Sequence, residues 1–209
     1  MISRLIKEQV KKGNLSFEDL VSTSFLLLVA GNATTANMIT LGILTLLQHP
    51  EQLNQIKQNP SLINNAVDEI HRYLTGSQFA TRRVAIKDVQ VGNTTIKKNE
   101  GVWALNASAN EDENIFKNPT KFDIHRNPNP HLAFGYGIHE CVAKHLAKAE
   151  VEIGINTLIQ RLPNLQIAIP FKDIKYVTEP SRDFGVEALP IKWFELFLLY
   201  FNFNHFLLF

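Results

Sequence analysis

The chain has 209 residues, of which 45% are hydrophobic and 20% are charged, and its formal net charge is +1 at pH 7. This length allows one large domain or two small ones, with enough apolar residues for a sizeable core. The balanced charge excludes a general nucleic-acid-binding surface. A single cysteine cannot form an internal disulfide, which favours a reducing compartment.

The N-terminal part of the chain predicts two helices. Residues 1–12 are charged and contain no long apolar stretch, so they are not a secretory signal peptide and are typical of the end of a polar helix. Ser16 is a predicted N-cap, and Asp19 stands three residues later as in a capping box. The helix that follows runs from Phe17 to about Gln48. Apolar residues occupy nearly all its faces, so we expect burial on most sides.

The rest of the chain predicts a mainly α protein with a small β part. Between residues 80 and 105 the pattern alternates and contains turn signals, as short strands do. The other predicted elements are helices at about 51–58, 62–74 and 141–161, and a final β-containing segment at 164–190.

The C-terminal stretch 193–209 is aromatic and apolar but is interrupted by polar residues. Its clean apolar part is too short for a membrane-spanning helix, so we predict no clear membrane anchor. We interpret residues 193–209 as a non-native tail after a single domain over residues 1–192.

The cysteine ends an unusual loop, Phe134-Gly135-Tyr136-Gly137-Ile138-His139-Glu140-Cys141. Helical residues follow, and the free N–H groups at a helix start stabilise a thiolate. Gly135 and Gly137 permit positive φ and the close approach of a flat group to the backbone. Ligation of a metal by one protected thiolate requires these features.

Three other interpretations of Cys141 stay open. It could be a small buried apolar residue, as lone cysteines often are. It could bind zinc together with His139, although zinc needs four ligands and no second cysteine exists. It could be a nucleophile with His139 as its base, although a separation of two residues is poor placement for a base.

The loop motif FGxGxHxC closely resembles the haem-binding loop of the cytochrome P450 family. Upstream, EIHR at 69–72 resembles the ExxR helix of that family, and AGNATT at 30–35 resembles its central helix over the haem. The resemblance covers residues 1–192, and the chains of the family are about twice as long. It therefore implies the C-terminal half of the cytochrome P450 fold: the long central helix, the ExxR helix, the cysteine-ligand loop and the following helix.

The resemblance implies a haem b whose axial thiolate and metal ligand is Cys141. It assigns the haem propionates to His139 and Arg83, although either side chain could simply be exposed to solvent. The other implied haem-binding residues are Phe134, Gly135, Gly137 and Ala30. In the family the ExxR pair, here Glu69 and Arg72, is buried and joined by an arginine, which would be Arg126 in KFDIHRNP. As an isolated i, i+3 pair, Glu69 and Arg72 would instead be a solvated surface bridge.

One departure from the family pattern concerns the central helix. Members that activate dioxygen usually have an acid directly before the helix threonine, but here Ala33 precedes Thr34. AGNAT resembles the fungal nitric oxide reductases of the family, which transfer hydride from NADH to nitric oxide and form nitrous oxide. Ser77 and Asp183 match the proton network of those enzymes.

The same resemblance places Arg82 at the mouth of an NADH channel, where a basic residue would face the pyrophosphate. No GxGxxG motif is present, so a Rossmann-type NADH site is not predicted. Ser77 and Asp183 could also be ordinary polar loop residues.

Three functional hypotheses follow. The first is an NADH-dependent nitric oxide reductase whose catalytic residues are Thr34, Ser77 and Asp183. The second is a cytochrome P450 monooxygenase that acts on a small organic substrate with dioxygen and a separate redox partner. The third is an inactive truncated fragment that aggregates. We expect a cytoplasmic or mitochondrial location.

Overall fold

A computed structural model of the chain describes residues 1–77, 81–177, 184–193 and 198–201. Its helices are α1 (Ile2–Glu8), α2 (Phe17–Gln48), α3 (Pro50–Gln58), α4 (Ile63–Leu74), α5 (Asn106–Ala109) and α6 (Lys144–Arg161). Its strands are β1 (Thr81–Val84), β2 (Val89–Val91), β3 (Thr94–Ile96), β4 (Gly101–Ala104), β5 (Gln166–Ile167), β6 (Tyr176–Val177), β7 (Gly185–Val186), β8 (Leu189–Lys192) and β9 (Leu198–Phe201). The prediction of a mainly α chain with a small β part is therefore confirmed.

Helix α2 begins at the predicted capping box. The Ser16 side chain accepts a hydrogen bond from the Asp19 backbone N–H at 3.0 Å, and the Asp19 carboxylate accepts one from the Ser16 N–H at 3.4 Å. These two bonds satisfy two backbone donors that a helix start leaves free. Pro50 then opens α3 at its first position, where proline is tolerated because it lacks only a donor that would be unpaired anyway.

The core lies where the C-terminal half of α2 packs against α4 and α6. Glycines allow this close packing, since a Cβ on Gly42 would lie 2.7 Å from Ile155 Cδ1 and 3.3 Å from Ile70. On the α6 side of the same joint, a Cβ on Gly154 would lie 3.0 Å from Ile39 Cδ1. The helix that carries the EIHR motif and the helix after the cysteine loop are therefore both fixed against α2.

The strands form small antiparallel sheets around this helical core. β1 pairs with β4, with Arg82 opposite Trp103, and β2 pairs with β3 through a turn at Gly92, whose φ is +55°. β8 lies between β5 and β9, and β6 pairs with β7. β9 belongs to the predicted tail 193–209, so four residues of that tail continue a sheet. The interpretation of the tail as non-native stays a prediction.

The prediction that α2 is buried on most sides is wrong for its N-terminal half. Residues from Met38 to Leu46 are almost all buried, but Phe25 is 67% exposed and Leu28 is 66% exposed. α1, α4, α6 and β7 all contact α2, and the described elements still leave these two side chains exposed. α2 is long and apolar enough to cross a membrane, but core helices of soluble proteins also meet that criterion.

We expect this exposed apolar face to make the chain self-associate. Large contiguous apolar patches drive association because each Å² removed from water contributes about 25 cal/mol. Replacing Phe25 and Leu28 by Lys should shift sedimentation from aggregates toward monomer. Replacing Lys11 and Lys12, which are exposed and lie outside the patch, by Gln is the matched control. Equal association of both variants would contradict this account.

Candidate haem-binding site

The cysteine loop is a tight, glycine-dependent turn. Gly135 and Gly137 have φ values of +77° and +73°, which side chains disfavour. The Cys141 N–H donates to the Phe134 carbonyl at 2.8 Å, and the Gly135 N–H donates to the Leu132 carbonyl at 2.9 Å. Both bonds tie the loop back on itself and fix where it presents the thiol.

The thiol of Cys141 is exposed and lies three residues before α6, not at its first residue as the sequence analysis expected. The difference arises because the Lys144 N–H bonds to the Cys141 carbonyl at 3.2 Å, a turn that precedes the regular helix. Apolar side chains around the thiol are also exposed: Tyr136 at 86%, Ile138 at 98% and Val142 at 88%. The thiol therefore stands on an open apolar surface.

Behind this loop, Glu69 is fully buried and receives both arginines that the sequence analysis assigned to it. Arg72 donates to its two carboxylate oxygens at 2.8 Å each, from Nε and Nη2. Arg126 Nε donates to Glu69 Oε2 at 3.0 Å. The structure thus brings Glu69, Arg72 and Arg126 together, and their pairing is buried, not a solvated surface bridge.

The excess positive charge of this triad is balanced by backbone and aromatic groups. Arg72 Nη1 donates to the Asn110 carbonyl at 2.8 Å, and Arg126 Nη1 donates to the Lys117 carbonyl at 2.9 Å. The Phe116 ring centroid lies 5.4 Å from the Arg72 guanidinium carbon and 6.0 Å from that of Arg126. Carbonyl dipoles and an aromatic face therefore share the charge that one carboxylate cannot balance alone.

A second polar cluster joins α4, α6 and the segment before the cysteine loop. His131 Nε2 lies 3.4 Å from Asp68 Oδ1, Lys148 Nζ lies 2.5 Å from the same oxygen, and the Ala133 N–H donates to His131 Nδ1 at 3.3 Å. Partial burial alone would raise the pKa of Asp68. The hydrogen bonds from His131 and Lys148 outweigh that effect and hold the pKa at about 2.

His71 lies beside this cluster and is kept neutral by its surroundings. Burial lowers the pKa of His71 from 6.5 to about 4, although its Nδ1 donates to the Val67 carbonyl at 2.7 Å. Its ring centroid lies 4.7 Å from that of Phe134, the first residue of the loop motif. A charge on His71 would therefore destabilise the folded chain close to the loop.

The lowered pKa of His71 predicts that the folded chain loses stability in acid. The unfolded chain protonates this residue below pH 6.5 and the folded chain only below about pH 4, so stability should fall as the pH is lowered through this window. The shift corresponds to roughly 3 kcal/mol at most. Urea unfolding of His71→Leu between pH 7 and pH 4 should lose this part of the pH dependence. His145→Leu, at an exposed position, should retain it, and an unchanged slope in His71→Leu would contradict the explanation.

The other predicted site residues lie at the edges of this region. Thr34 is half-buried on α2, and its hydroxyl donates to the Ala30 carbonyl at 2.6 Å. Ser77 is half-buried three residues after α4. No hydrogen bond joins Thr34 to Ser77 among the bonds of the described residues. Asp183 lies outside the described residues.

Three predicted ligand-binding side chains are exposed to solvent. Arg82 lies on β1, with its guanidinium carbon 5.0 Å from the centroid of the Trp103 ring. Arg83 follows it on the same strand and donates to the Arg82 carbonyl at 2.7 Å. His139 ends the short 3-10 helix Gly137–His139 inside the cysteine loop. Their assignment to haem and NADH stays a prediction.

The comparisons with known proteins identify the class that this fold and site define. The family model described as "Cytochrome P450" matches residues 1–193. The chain is 46% identical over 195 residues to "Cytochrome P450 55A3" of Fusarium lichenicola, covering 92% of this chain and 48% of the relative. It is 45% identical over 192 residues to "Biotin biosynthesis cytochrome P450" of Bacillus subtilis (strain 168), covering 91% and 47%.

A solved structure gives the same result. The crystal structure of CYP105N1 from Streptomyces coelicolor A3(2) has a TM-score of 0.88 and 38% identity, over 92% of this chain and 48% of that one. The chain therefore belongs to the cytochrome P450 family. It spans about half the length of the curated relatives it matches.

The residues around Cys141 fit a thiolate-ligated haem, the ligation found in the cytochromes P450. A haem would need one soft ligand from the protein, and the exposed thiol of Cys141 would supply it. The positive-φ glycines have no side chains that would project from the loop. No atom lies within 4 Å of a Cβ built on Gly137. Tyr136, Ile138 and Val142, close to Cys141 in the sequence, expose apolar side chains, as contact with a porphyrin face requires. Among the described residues, no group of His, Cys, Asp and Glu forms a site for a separate metal ion.

Asn110, Asn129 and the cluster of Asp68, His71 and His131 were not predicted from the sequence. Asn129 Nδ2 donates to Glu69 Oε2 at 3.1 Å and is thereby the third side chain, after Arg72 and Arg126, that bonds to the Glu69 carboxylate. Asparagine next to proline normally indicates a turn, so the local sequence gave no signal that Asn129 would contact Glu69.

Proposed function

We propose that this chain contributes the haem-thiolate centre of an oxidoreductase that reduces nitric oxide to nitrous oxide with NADH. The observation that carries the proposal is the exposed Cys141 thiol on a glycine loop backed by the buried Glu69 triad, on a fold whose central helix has Ala33 before Thr34. The balanced reaction converts two nitric oxide molecules, one NADH and one proton into nitrous oxide, NAD⁺ and water. A bound haem would supply the iron centre for this reduction.

Cys141 would hold the iron through its thiolate. Its loop is closed by the bond from its own N–H to the Phe134 carbonyl. Asn110 connects Leu132, just before the loop, to Arg72 of the triad. Because the thiol stands on an apolar surface, water is excluded once a flat ligand covers it. A buried, water-free thiolate donates charge more strongly than a hydrated one.

Thr34 is the proposed proton-handling group on α2. Its hydroxyl proton points to the Ala30 carbonyl, which leaves its oxygen lone pairs free to accept a proton donor such as water. With Ala33 in the acid position, no carboxylate competes for that role at this point of the helix. Ser77 and Asp183 continue the proposed relay, and Arg82 offers a cation to the pyrophosphate of NADH.

Two observations support the nitric oxide reductase over other members of the family. The AGNAT motif resembles the fungal nitric oxide reductases, and a fungal relative is 46% identical to this chain. The test is oxidation of NADH by the haem-loaded chain, with nitrous oxide measured by mass spectrometry. We expect oxidation that depends on nitric oxide and needs no redox partner. Turnover that requires dioxygen and a separate reductase would overturn the proposal.

The variants Thr34→Val and Thr34→Ser separate chemistry from packing in this assay. Valine has the same shape without the hydroxyl, whereas serine retains it. We expect a loss of about 10²-fold in turnover for valine and near-wild-type turnover for serine. Thr40→Val, a buried threonine further along α2 whose hydroxyl also bonds to the carbonyl four residues back, is the matched control.

A monooxygenase is the second candidate, and relatives favour it. One relative is named "Vitamin D3 dihydroxylase" of Streptomyces griseolus, 40% identical over 92% of this chain and 47% of the relative. In that case Thr34 would assist the activation of dioxygen without a neighbouring acid, and a small organic substrate and a redox partner would be required. The monooxygenase would be supported if the chain consumed dioxygen in the presence of a substrate and a reductase and did not reduce nitric oxide.

A further inference from the structure

One buried residue links two segments that the proposed function uses separately. Asn110 follows α5 directly, and no part of it is exposed to solvent. Its side chain bonds at both ends, to Thr75 after α4 and to Leu132 before the cysteine loop. Its backbone carbonyl meanwhile accepts the bond from Arg72 of the triad.

The hydrogen bonds define the orientation of the Asn110 amide. The Leu132 N–H can only donate, so the atom 2.7 Å from it is the carbonyl oxygen Oδ1. The amide nitrogen Nδ2 therefore faces Thr75 Oγ1 at 2.8 Å. The Thr75 hydroxyl has one proton, which it donates to the Arg72 carbonyl at 2.9 Å, and it accepts from Asn110. Each side-chain polar atom of Asn110 and Thr75 therefore has a hydrogen-bond partner.

Thr75 needs this support because its backbone is strained. It ends α4 in the left-handed region, with φ of 44° and ψ of 72°, and it is 99% buried. β-branched residues rarely adopt this conformation, and such strain persists only where the surroundings over-determine it. The turn directs the chain through Gly76 to Ser77.

The other end of Asn110 leads to the thiol. The Leu132 carbonyl accepts from the Gly135 N–H at 2.9 Å, and the Phe134 carbonyl then accepts from the Cys141 N–H at 2.8 Å. A displacement of Leu132 would pass along these two bonds to the residue that carries the sulfur. Asparagine suits the position between Thr75 and Leu132, because its amide offers a donor and an acceptor at a short, fixed separation.

We propose that Asn110 is a positioning residue that couples the strained turn before Ser77 to the loop that presents Cys141. This inference rests on the proposed function for the roles of Ser77 and Cys141. The coupling itself rests on the two side-chain bonds of Asn110 and on its bond to Arg72. Asn110 acts through these partners and touches no reacting group.

The test is amide hydrogen exchange in the haem-free chain, kept in solution by a mild non-ionic detergent. In Asn110→Ala we expect exchange about tenfold faster at the amides of Leu132 and Gly135. Exchange at Ile155 in the core of α6 should not change. Uniform acceleration at all amides, or no change at Leu132, would overturn the proposal.

Further variants keep the test informative if Asn110→Ala does not fold. Asn110→Asp keeps the acceptor for Leu132 but loses the donor to Thr75, so exchange should accelerate after α4 and not at Leu132. Thr75→Val should reproduce that effect, and Thr75→Ser, which retains the hydroxyl, should resemble the wild type. Asn114→Ala, an exposed asparagine in the same segment, should leave both amides unchanged.

A spectroscopic measurement distinguishes this inference from the proposed function. Haem-loaded Asn110→Ala should show a smaller fraction of the red-shifted, thiolate-type band in its reduced carbon monoxide complex, whereas Thr75→Ser should not. If the wild-type chain shows no thiolate band, the proposed function fails while hydrogen exchange still decides on Asn110. If the thiolate fraction is unchanged in Asn110→Ala but exchange accelerates at Leu132, the coupling to Cys141 is overturned.

Discussion

Replacing Glu69 by Gln should destabilise the folded chain by about 3–5 kcal/mol. The substitution keeps the shape of the side chain but removes the single negative charge between Arg72 and Arg126. Glu69 and Arg72 side chains are fully buried, so their charges cannot be compensated by water. The free energy of unfolding from urea titration measures the effect.

The control for Glu69 is a pair with similar geometry on the surface. Arg4 and Glu8 also bond at 2.8 Å, but both side chains are largely exposed. Glu8→Gln should therefore change the free energy of unfolding by about 0.5 kcal/mol or less. Equal effects of Glu69→Gln and Glu8→Gln would contradict the conclusion that the buried charge of the triad stabilises the fold.

Replacing Gly42 by Val should destabilise the chain by about 1–3 kcal/mol, because it overpacks the joint between α2, α4 and α6. A Cβ at this position would already lie 2.7 Å from Ile155 Cδ1. The joint fixes both α4, which carries the triad, and α6, which follows the cysteine loop. Haem affinity should therefore fall together with stability, and a haem titration with thermal unfolding measures both.

Gly31 provides the matched control on the same helix. A Cβ built on Gly31 meets no atom within 4 Å, so Gly31→Val changes helix propensity by only a few tenths of a kcal/mol. Its free energy of unfolding should stay close to that of the wild type. If Gly42→Val were as stable as Gly31→Val, the described packing of α2 on α6 would be wrong.

Local signals explain which elements the sequence predicted well. The bounds of α2 follow from the Ser16 capping box and from Pro50, and both act within one helical turn. The hairpin at Gly92 likewise depends on a glycine that adopts positive φ. The cysteine loop could be predicted for the same reason, because the positive φ values of Gly135 and Gly137 require glycine.

Long-range contacts explain what the sequence did not predict. Apolar side chains such as Phe25 indicate a buried helix face, but burial depends on which elements reach that face. The partners of Glu69 beyond the arginines come from distant segments, as Asn129 shows. Asn110 bonds to Leu132, Thr75 and Arg72, which are 22, 35 and 38 residues away. His71 packs against Phe134 in another distant segment, and a local pattern cannot contain such partners.

The most direct test of the central claim is the absorption spectrum of the reduced, carbon monoxide-bound chain after expression with a haem supply. We predict a strongly red-shifted Soret band in the wild type that is absent in Cys141→Ala. A red-shifted band that persists in Cys141→Ala would contradict the assignment of Cys141 as the axial ligand. A wild-type chain that binds no haem would contradict the claim that this chain forms a haem-thiolate centre.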